Sequence, residues 1–112
     1  MNAECVFCKI INRTIPAAVI AENDDFMVIQ DRSPKAPVHY LIITKHHVPD
    51  ITSLKPEELY LGQALFAMAQ QLSRTLPGSG NFRLIVNNGT DAGQSVFHLH
   101  AHFLASKKMT DF

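Results

Sequence analysis

Ser95-Val96-Phe97-His98-Leu99-His100-Ala101-His102-Phe103-Leu104 alternates imidazoles with apolar side chains. Three of the chain's six histidines stand here at every second position, with Phe97, Leu99, Ala101 and Phe103 between and beyond them. A strand turns successive side chains to opposite faces, so the pattern predicts His98, His100 and His102 along one side and the apolar residues along the other. Neither Gly nor Pro interrupts the stretch, and its residue types suit a half-buried pleated surface. A merely solvated face is ordinarily built from Thr, Lys and Glu. Imidazoles in register point instead to a nucleophile, a general acid or base, or a metal ligand working near neutral pH. The row is the candidate active site.

Working upstream, Asn87-Asn88-Gly89-Thr90-Asp91-Ala92-Gly93-Gln94-Ser95 joins the row to another strand candidate, Phe82 to Val86. Asn88-Gly89 is a strong hairpin signal, yet the connection is several residues longer than a two-residue turn. The surplus, Gly93-Gln94-Ser95, has the make-up of a loop that turns its amides toward an anion. Beside the histidines it reads as a phosphate cradle.

Before that loop, Leu61, Ala64, Leu65, Met68, Ala69, Leu72 and Leu76 form a helical stripe suited to packing on a sheet. The helix is expected to start near Pro56, with Glu57 and Glu58 favourable in its first turn and Lys55 a poor cap. Pro77-Gly78-Ser79-Gly80 should stop it. Leu59 and Phe66 lie off the stripe, and Gly62 costs about 1 kcal/mol relative to Ala in a helix interior. Farther upstream, Val38 to Thr44, Phe26 to Gln30 and Ala17 to Ala21 read as strands, and Asp31 to Pro37, with its two prolines, as an exposed loop. Cys5 to Ile11 reads as a short helix that places Cys5 and Cys8 on one face. The sum is an α+β domain: about five strands in a mainly antiparallel sheet, a short N-terminal helix and one long helix, with the helices on one face.

At 112 residues with zero formal net charge, residues 1–112 are expected to form one domain. A protein living on nucleic acid or anionic membrane would carry a basic surplus, so neither is an expected partner. Nucleotide binding needs no surplus, because backbone amides can hold phosphate. Met1-Asn2-Ala3-Glu4 lacks the basic and hydrophobic regions of a signal peptide. The expectation is a cytoplasmic protein whose two cysteines are reduced thiols or metal ligands rather than a disulfide.

Gly93-Gln94-Ser95-Val96-Phe97-His98-Leu99-His100-Ala101-His102-Phe103-Leu104 closely resembles the motif of the histidine triad (HIT) family. Cys8-Lys9-Ile10-Ile11, Ile15-Pro16-Ala17, Asp31-Arg32-Ser33-Pro34, Ala36 to Ile43 and Pro56-Glu57-Glu58-Leu59 resemble other parts of that family in order, so nearly the whole chain is covered. The nearest branch is that of the Hint-like nucleoside phosphoramidases. The resemblance implies a HIT-like fold, a homodimer formed through the long helix and a strand, and a purine nucleotide or nucleoside phosphoramidate as ligand. It implies that His100 attacks the α-phosphorus to give a nucleotidyl-histidine, which water then hydrolyses. His98 and His102 would flank the phosphate, with Asn87, Gly93, Gln94 and Ser95 in the cradle. Asp31 would hold the ribose, and Val6, Phe7, Ile10 and Ile29 would wall the base, plain core being the competing assignment for each.

The chain departs from the most studied Hint-like enzymes in three ways. They end in a Trp-containing segment that reaches the partner's site, whereas this chain contains no Trp and ends Lys107 to Phe112. Arg32 follows Asp31 where the family usually has an apolar residue. Cys5 and Cys8 have C-x₂-C spacing; in zinc-bearing relatives the remaining ligands of a structural zinc resemble His47 and His98. The residues leave three alternatives open: a dinucleoside polyphosphate hydrolase or nucleotidyltransferase, a nucleotide-sensing module without turnover, and a metal site of the three histidines alone.

Overall fold

The apolar run Phe26-Met27-Val28-Ile29 does not alternate with polar residues, and all four side chains are buried. A strand of that kind needs cover on both faces. The computed structural model, which describes residues 4–78 and 80–110, shows how the cover is supplied. Five strands, β1 (Val19–Glu22), β2 (Phe26–Gln30), β3 (Val38–Thr44), β4 (Phe82–Ile85) and β5 (His100–Ala105), form one sheet in the order β1-β2-β3-β5-β4. Every neighbouring pair is antiparallel.

In the β3–β5 register Leu41 faces His102 and Ile43 faces His100, while Ile42 faces Ala101 and Tyr40 faces Phe103. Directly paired residues share a sheet face, so the histidines of β5 lie with Leu41 and Ile43. Helix α1 (Val6–Ile11) covers that face, packing Phe7, Cys8 and Ile10 with Met27, Ile29, Leu41 and Ile43. Helix α2 (Tyr60–Ser73) covers the other, packing Leu61, Met68, Ala69 and Leu72 with Phe26, Val28, Ile42, Ala101 and Phe103. The helices therefore sit on opposite faces, not on one. The unbroken apolar run of β2 carried that information.

Boundaries shift where local hydrogen bonds intervene. Pro56–Glu58 is a 3₁₀ turn ahead of α2, and the Glu58 carboxylate accepts from the Lys55 N–H at 2.9 Å, doing what the Lys55 side chain does not. The helix ends at Ser73, and Leu76 packs on the core from beyond it, because 3₁₀-type bonds from Thr75 N to Leu72 O and Leu76 N to Ser73 O tighten the chain. β1 begins two residues later than expected, and β4 stops one earlier. The largest correction concerns the histidine row: β5 starts at His100, and residues 96–98 form a bend. Residues 1–3, Ser79 and residues 111–112, read above as parts of the two chain ends and of the helix stop, lie outside the described residues.

Candidate functional site

A cavity of about 580 Å³ opens between α1, the end of β2 and the β4–β5 loop. Val6, Phe7 and Ile10 of α1, Ile29 of β2 and Asp31 just after it line one part. Asn87, Gly93 and Ser95 of the loop and His100 and His102 of β5 line the other. Ile15, Ala17, Ala18, Gln30, Leu41 and Val96 complete the wall, and Arg32 adds a cation beside Asp31. Two residues expected here, His98 and Gln94, are absent from the lining.

The protons on these rings follow from their partners. His100 Nδ1 lies 2.7 Å from the His98 carbonyl oxygen. A carbonyl only accepts, so Nδ1 carries the proton and Nε2 keeps its lone pair. His39 Nδ1 accepts from the Lys35 N–H at 3.0 Å, which puts the His39 proton on Nε2, 3.0 Å from His102 Nδ1. His102 Nδ1 is thereby an acceptor, and its own proton sits on Nε2. Asp31 Oδ2 stands 3.4 Å from the same His39 nitrogen, while Oδ1 accepts from the Ser33 N–H at 2.7 Å.

Burial lowers the pKa of His39, His100 and His102 below the ordinary imidazole value, outweighing the opposing pull of the Asp31 charge. All three rings are neutral at pH 7. The site thus offers an unprotonated nitrogen on His100 and an N–H donor on His102, side by side, with ring centroids 5.3 Å apart. Phe7 stands edge-on to His100 at 4.9 Å.

His39 is the functional candidate that sequence reasoning passed over. It shares a β3 face with Leu41 and Ile43 and is 3 % exposed. An imidazole at an otherwise apolar position of a strand was the available signal.

Gln94 serves the loop rather than the cavity. Its Oε1 accepts from the Gly89 N–H at 2.8 Å, and its Nε2 donates to the Pro49 and Val96 carbonyls at 2.7 and 3.1 Å. The long connection is built from a 3₁₀ turn, Thr90–Ala92, between Gly89 and Gly93, whose φ values are +93° and +100°. That backbone region favours glycine at both positions.

His98 is fully buried, and its ring turns away from the cavity. Nε2 donates to the Thr44 carbonyl at 2.6 Å, leaving the Nδ1 lone pair facing Cys5 Sγ at 3.3 Å, Cys8 Sγ at 3.6 Å and His47 Nδ1 at 3.1 Å. Cys8 Sγ is 3.2 Å from His47 Nδ1, and all four donor atoms lie within 4.8 Å of one another. Zn–S bonds of about 2.3 Å and Zn–N bonds of about 2.0–2.1 Å at tetrahedral angles separate ligand atoms by roughly 3.3–3.8 Å. The cluster is close to that spacing, and its two-sulfur, two-nitrogen donor set suits zinc. His47, not His46, supplies the ring; His46 Nε2 instead pairs with Glu58 at 2.7 Å. Burial pushes the His98 pKa down to about 4, which keeps its ring a neutral ligand. Asp31, His39 and His102 also converge, but the proton on His39 Nε2 makes that trio a hydrogen-bonded group.

Residues 4–112 match the family described as "Scavenger mRNA decapping enzyme C-term binding". An uncharacterized HIT-like protein of Synechocystis is 40 % identical over 107 residues, 96 % of this chain and 94 % of that one. The crystal structure of a HIT family hydrolase from Legionella pneumophila superposes with a TM-score of 0.89 at 34 % identity, covering 95 % of this chain and 96 % of that chain. A zinc-bound histidine triad family protein from Mycobacterium smegmatis superposes with a TM-score of 0.80 at 32 % identity, covering 92 % of this chain and 75 % of that chain.

Proposed function

Because the chain belongs to the histidine triad (HIT) family, we propose that it is a purine nucleotide-binding hydrolase acting at the α-phosphate of nucleoside phosphoramidates. The observation that carries the reading is the tautomer pair in the cavity: a lone pair on His100 Nε2 beside a donor on His102 Nε2. His100 Nε2 attacks the α-phosphorus, the P–N bond breaks, and the amine leaves with a proton supplied by water. A nucleotidyl-imidazole results. Water then attacks the same phosphorus, the bond to Nε2 breaks, and nucleoside monophosphate leaves.

His102 donates to a phosphate oxygen as charge builds there, and Asn87, Ser95 and the Gly93 amide act alongside it. Asp31 accepts from the ribose hydroxyls. Val6, Phe7, Ile10 and Ile29 receive the purine as an apolar slot. His98 does not touch the phosphate.

Cys5, Cys8, His47 and His98 would hold a structural zinc, and their shared coordination would tie the start of α1 to the segments flanking β3 and β5. Two chains associate through α2, where Phe66 and the preceding Leu59 are exposed beside an apolar hollow of about 300 Å³. Among the described residues no helix is long and apolar enough to cross a membrane, and the reduced thiols fit the cytoplasm.

The decapping name of the matched family favours a second reading, cleavage of a dinucleoside polyphosphate by the same histidine. One experiment tests both. Adenosine and guanosine phosphoramidates and dinucleoside polyphosphates are offered to wild type and to His100→Ala, and the wild-type reaction is stopped in alkaline denaturant. Turnover of the phosphoramidates, with nucleotide trapped on His100 and none turned over by the variant, is the expected result. Undiminished turnover by His100→Ala defeats the covalent route.

A further inference from the structure

We infer that His98 is a positioning residue that couples the Cys5–Cys8–His47–His98 metal cluster to the tautomer of His100. The inference rests on the proposed roles of both sites and concerns the one residue that belongs to each. Its ring is a donor in the cluster, and its main-chain carbonyl accepts the Nδ1 proton of the proposed nucleophile at 2.7 Å.

The backbone makes this connection sensitive. In a regular strand, carbonyls are committed to the ladder, whereas His98 lies in the bend before β5, and the β3–β5 pairing begins at His100 opposite Ile43. The His98 carbonyl turns back onto the side chain two residues on. Nearby main-chain bonds, Leu99 N to Val48 O at 2.7 Å and Thr44 N to Leu99 O at 3.2 Å, hold the following residue. His98 itself is placed by its ring, which Thr44 fixes at Nε2 and the cluster fixes at Nδ1.

The cluster end is the adjustable one. His98 Nδ1 and His47 Nδ1 stand 3.1 Å apart. With zinc bound, both nitrogens are ligands and both rings are fixed. Without it the two nitrogens share at most one proton, and the ring is held there by one weak bond to His47 or by a thiol. A carbonyl shifted by that loosening no longer selects Nδ1 as the protonated nitrogen of His100, and part of the population then presents N–H where the lone pair is needed. Partners one shell removed from a metal or a reacting group characteristically change activity by about 10–100-fold.

The test uses the full chain, ¹⁵N-labelled at histidine, with zinc content measured by elemental analysis. Long-range ¹H–¹⁵N spectra of zinc-loaded and chelated protein report the tautomer of His100 directly, with circular dichroism confirming that the chelated chain is folded. The expected result is a single Nδ1–H tautomer with zinc and a mixture without it. On the proposed phosphoramidate substrate, kcat falls about tenfold and KM stays within about twofold, and added zinc restores both readouts. Should chelation unfold the chain, Cys5→Ala with Cys8→Ala keeps small apolar groups at two buried positions and serves as the metal-free form.

Protein purified without chelator that carries under about one-tenth zinc per chain overturns the inference together with the metal site. Stoichiometric zinc whose removal leaves the His100 spectrum and kcat unchanged overturns the coupling alone. Absence of turnover in every form counts against the hydrolase reading, while the spectrum still decides the coupling.

Discussion

His39 Nε2 stands 3.0 Å from His102 Nδ1, and that contact, rather than the spacing of the histidine row, decides which nitrogen of His102 faces the cavity. Removing the ring frees His102 to take either tautomer. His39→Ala should lower kcat by about 10–100-fold while the affinity for nucleoside monophosphate changes less than about twofold. His39→Gln, whose amide can still donate, should recover part of the loss. Steady-state kinetics beside calorimetric titration checks it, and an unchanged kcat in the Ala variant would reject that role of His39.

Gln94 ties the long loop at Gly89 to the Pro49 and Val96 carbonyls through one buried amide. Gln94→Leu leaves the Gly89 N–H and the Pro49 and Val96 carbonyls without that partner. Each buried unsatisfied group costs about 1–3 kcal/mol, so a loss of about 2–4 kcal/mol in urea unfolding is expected. A change under about 0.5 kcal/mol would show that the amide does not organise the loop.

Stripped of metal, the protein should unfold in acid over a window set by imidazoles. His98 has its pKa pushed down to about 4, and His39, His100 and His102 are lowered, in each case by burial first. Between the ordinary imidazole pKa of about 6.5 and these lower values the unfolded chain binds more protons than the folded one, so stability rises with pH there. Melting temperature should therefore fall as pH drops from about 6.5 toward 4. The carboxylates of Asp50 and Glu58, lowered by hydrogen bonds from Ser53 and from the Lys55 backbone, lose their contribution only below that window. A melting temperature flat from pH 6.5 to 4.5 would contradict the imidazole account.

Phe66 is 66 % exposed on α2, beside the apolar hollow that the proposed partner chain covers. Phe66→Glu should convert a particle of twice the 12.5 kDa chain mass into one of single mass, weakening association by about 2 kcal/mol or more while leaving the fold intact. Sedimentation velocity reads the outcome, and single-mass wild type at micromolar concentration would refute the dimer.

The sequence by itself determined whatever depends on near neighbours. The period of two in the histidine row, the helical stripe of α2 and the turn residues at Gly89 and Gly93 are local patterns, and each is found in the fold, the row as a strand only from His100 onward. The C-x₂-C pair at the start of α1, Cys5 capping the helix and Cys8 in its first turn, was legible for the same reason: residues three apart there lie close together. Tertiary structure decided where each histidine ring points. The same alternation runs through His98, His100 and His102, yet pairing with β3 begins only at His100, so His98 escapes the strand and its ring drops into the cysteine cluster. The choice of His47 over His46, the arrival of His39 beside His102 and the bond from Gln94 to the Pro49 carbonyl all depend on contacts between segments far apart in the chain. Such contacts are selected by burial, where an imidazole or amide without a partner is costly. Periodicity along one segment holds no record of a partner supplied by another.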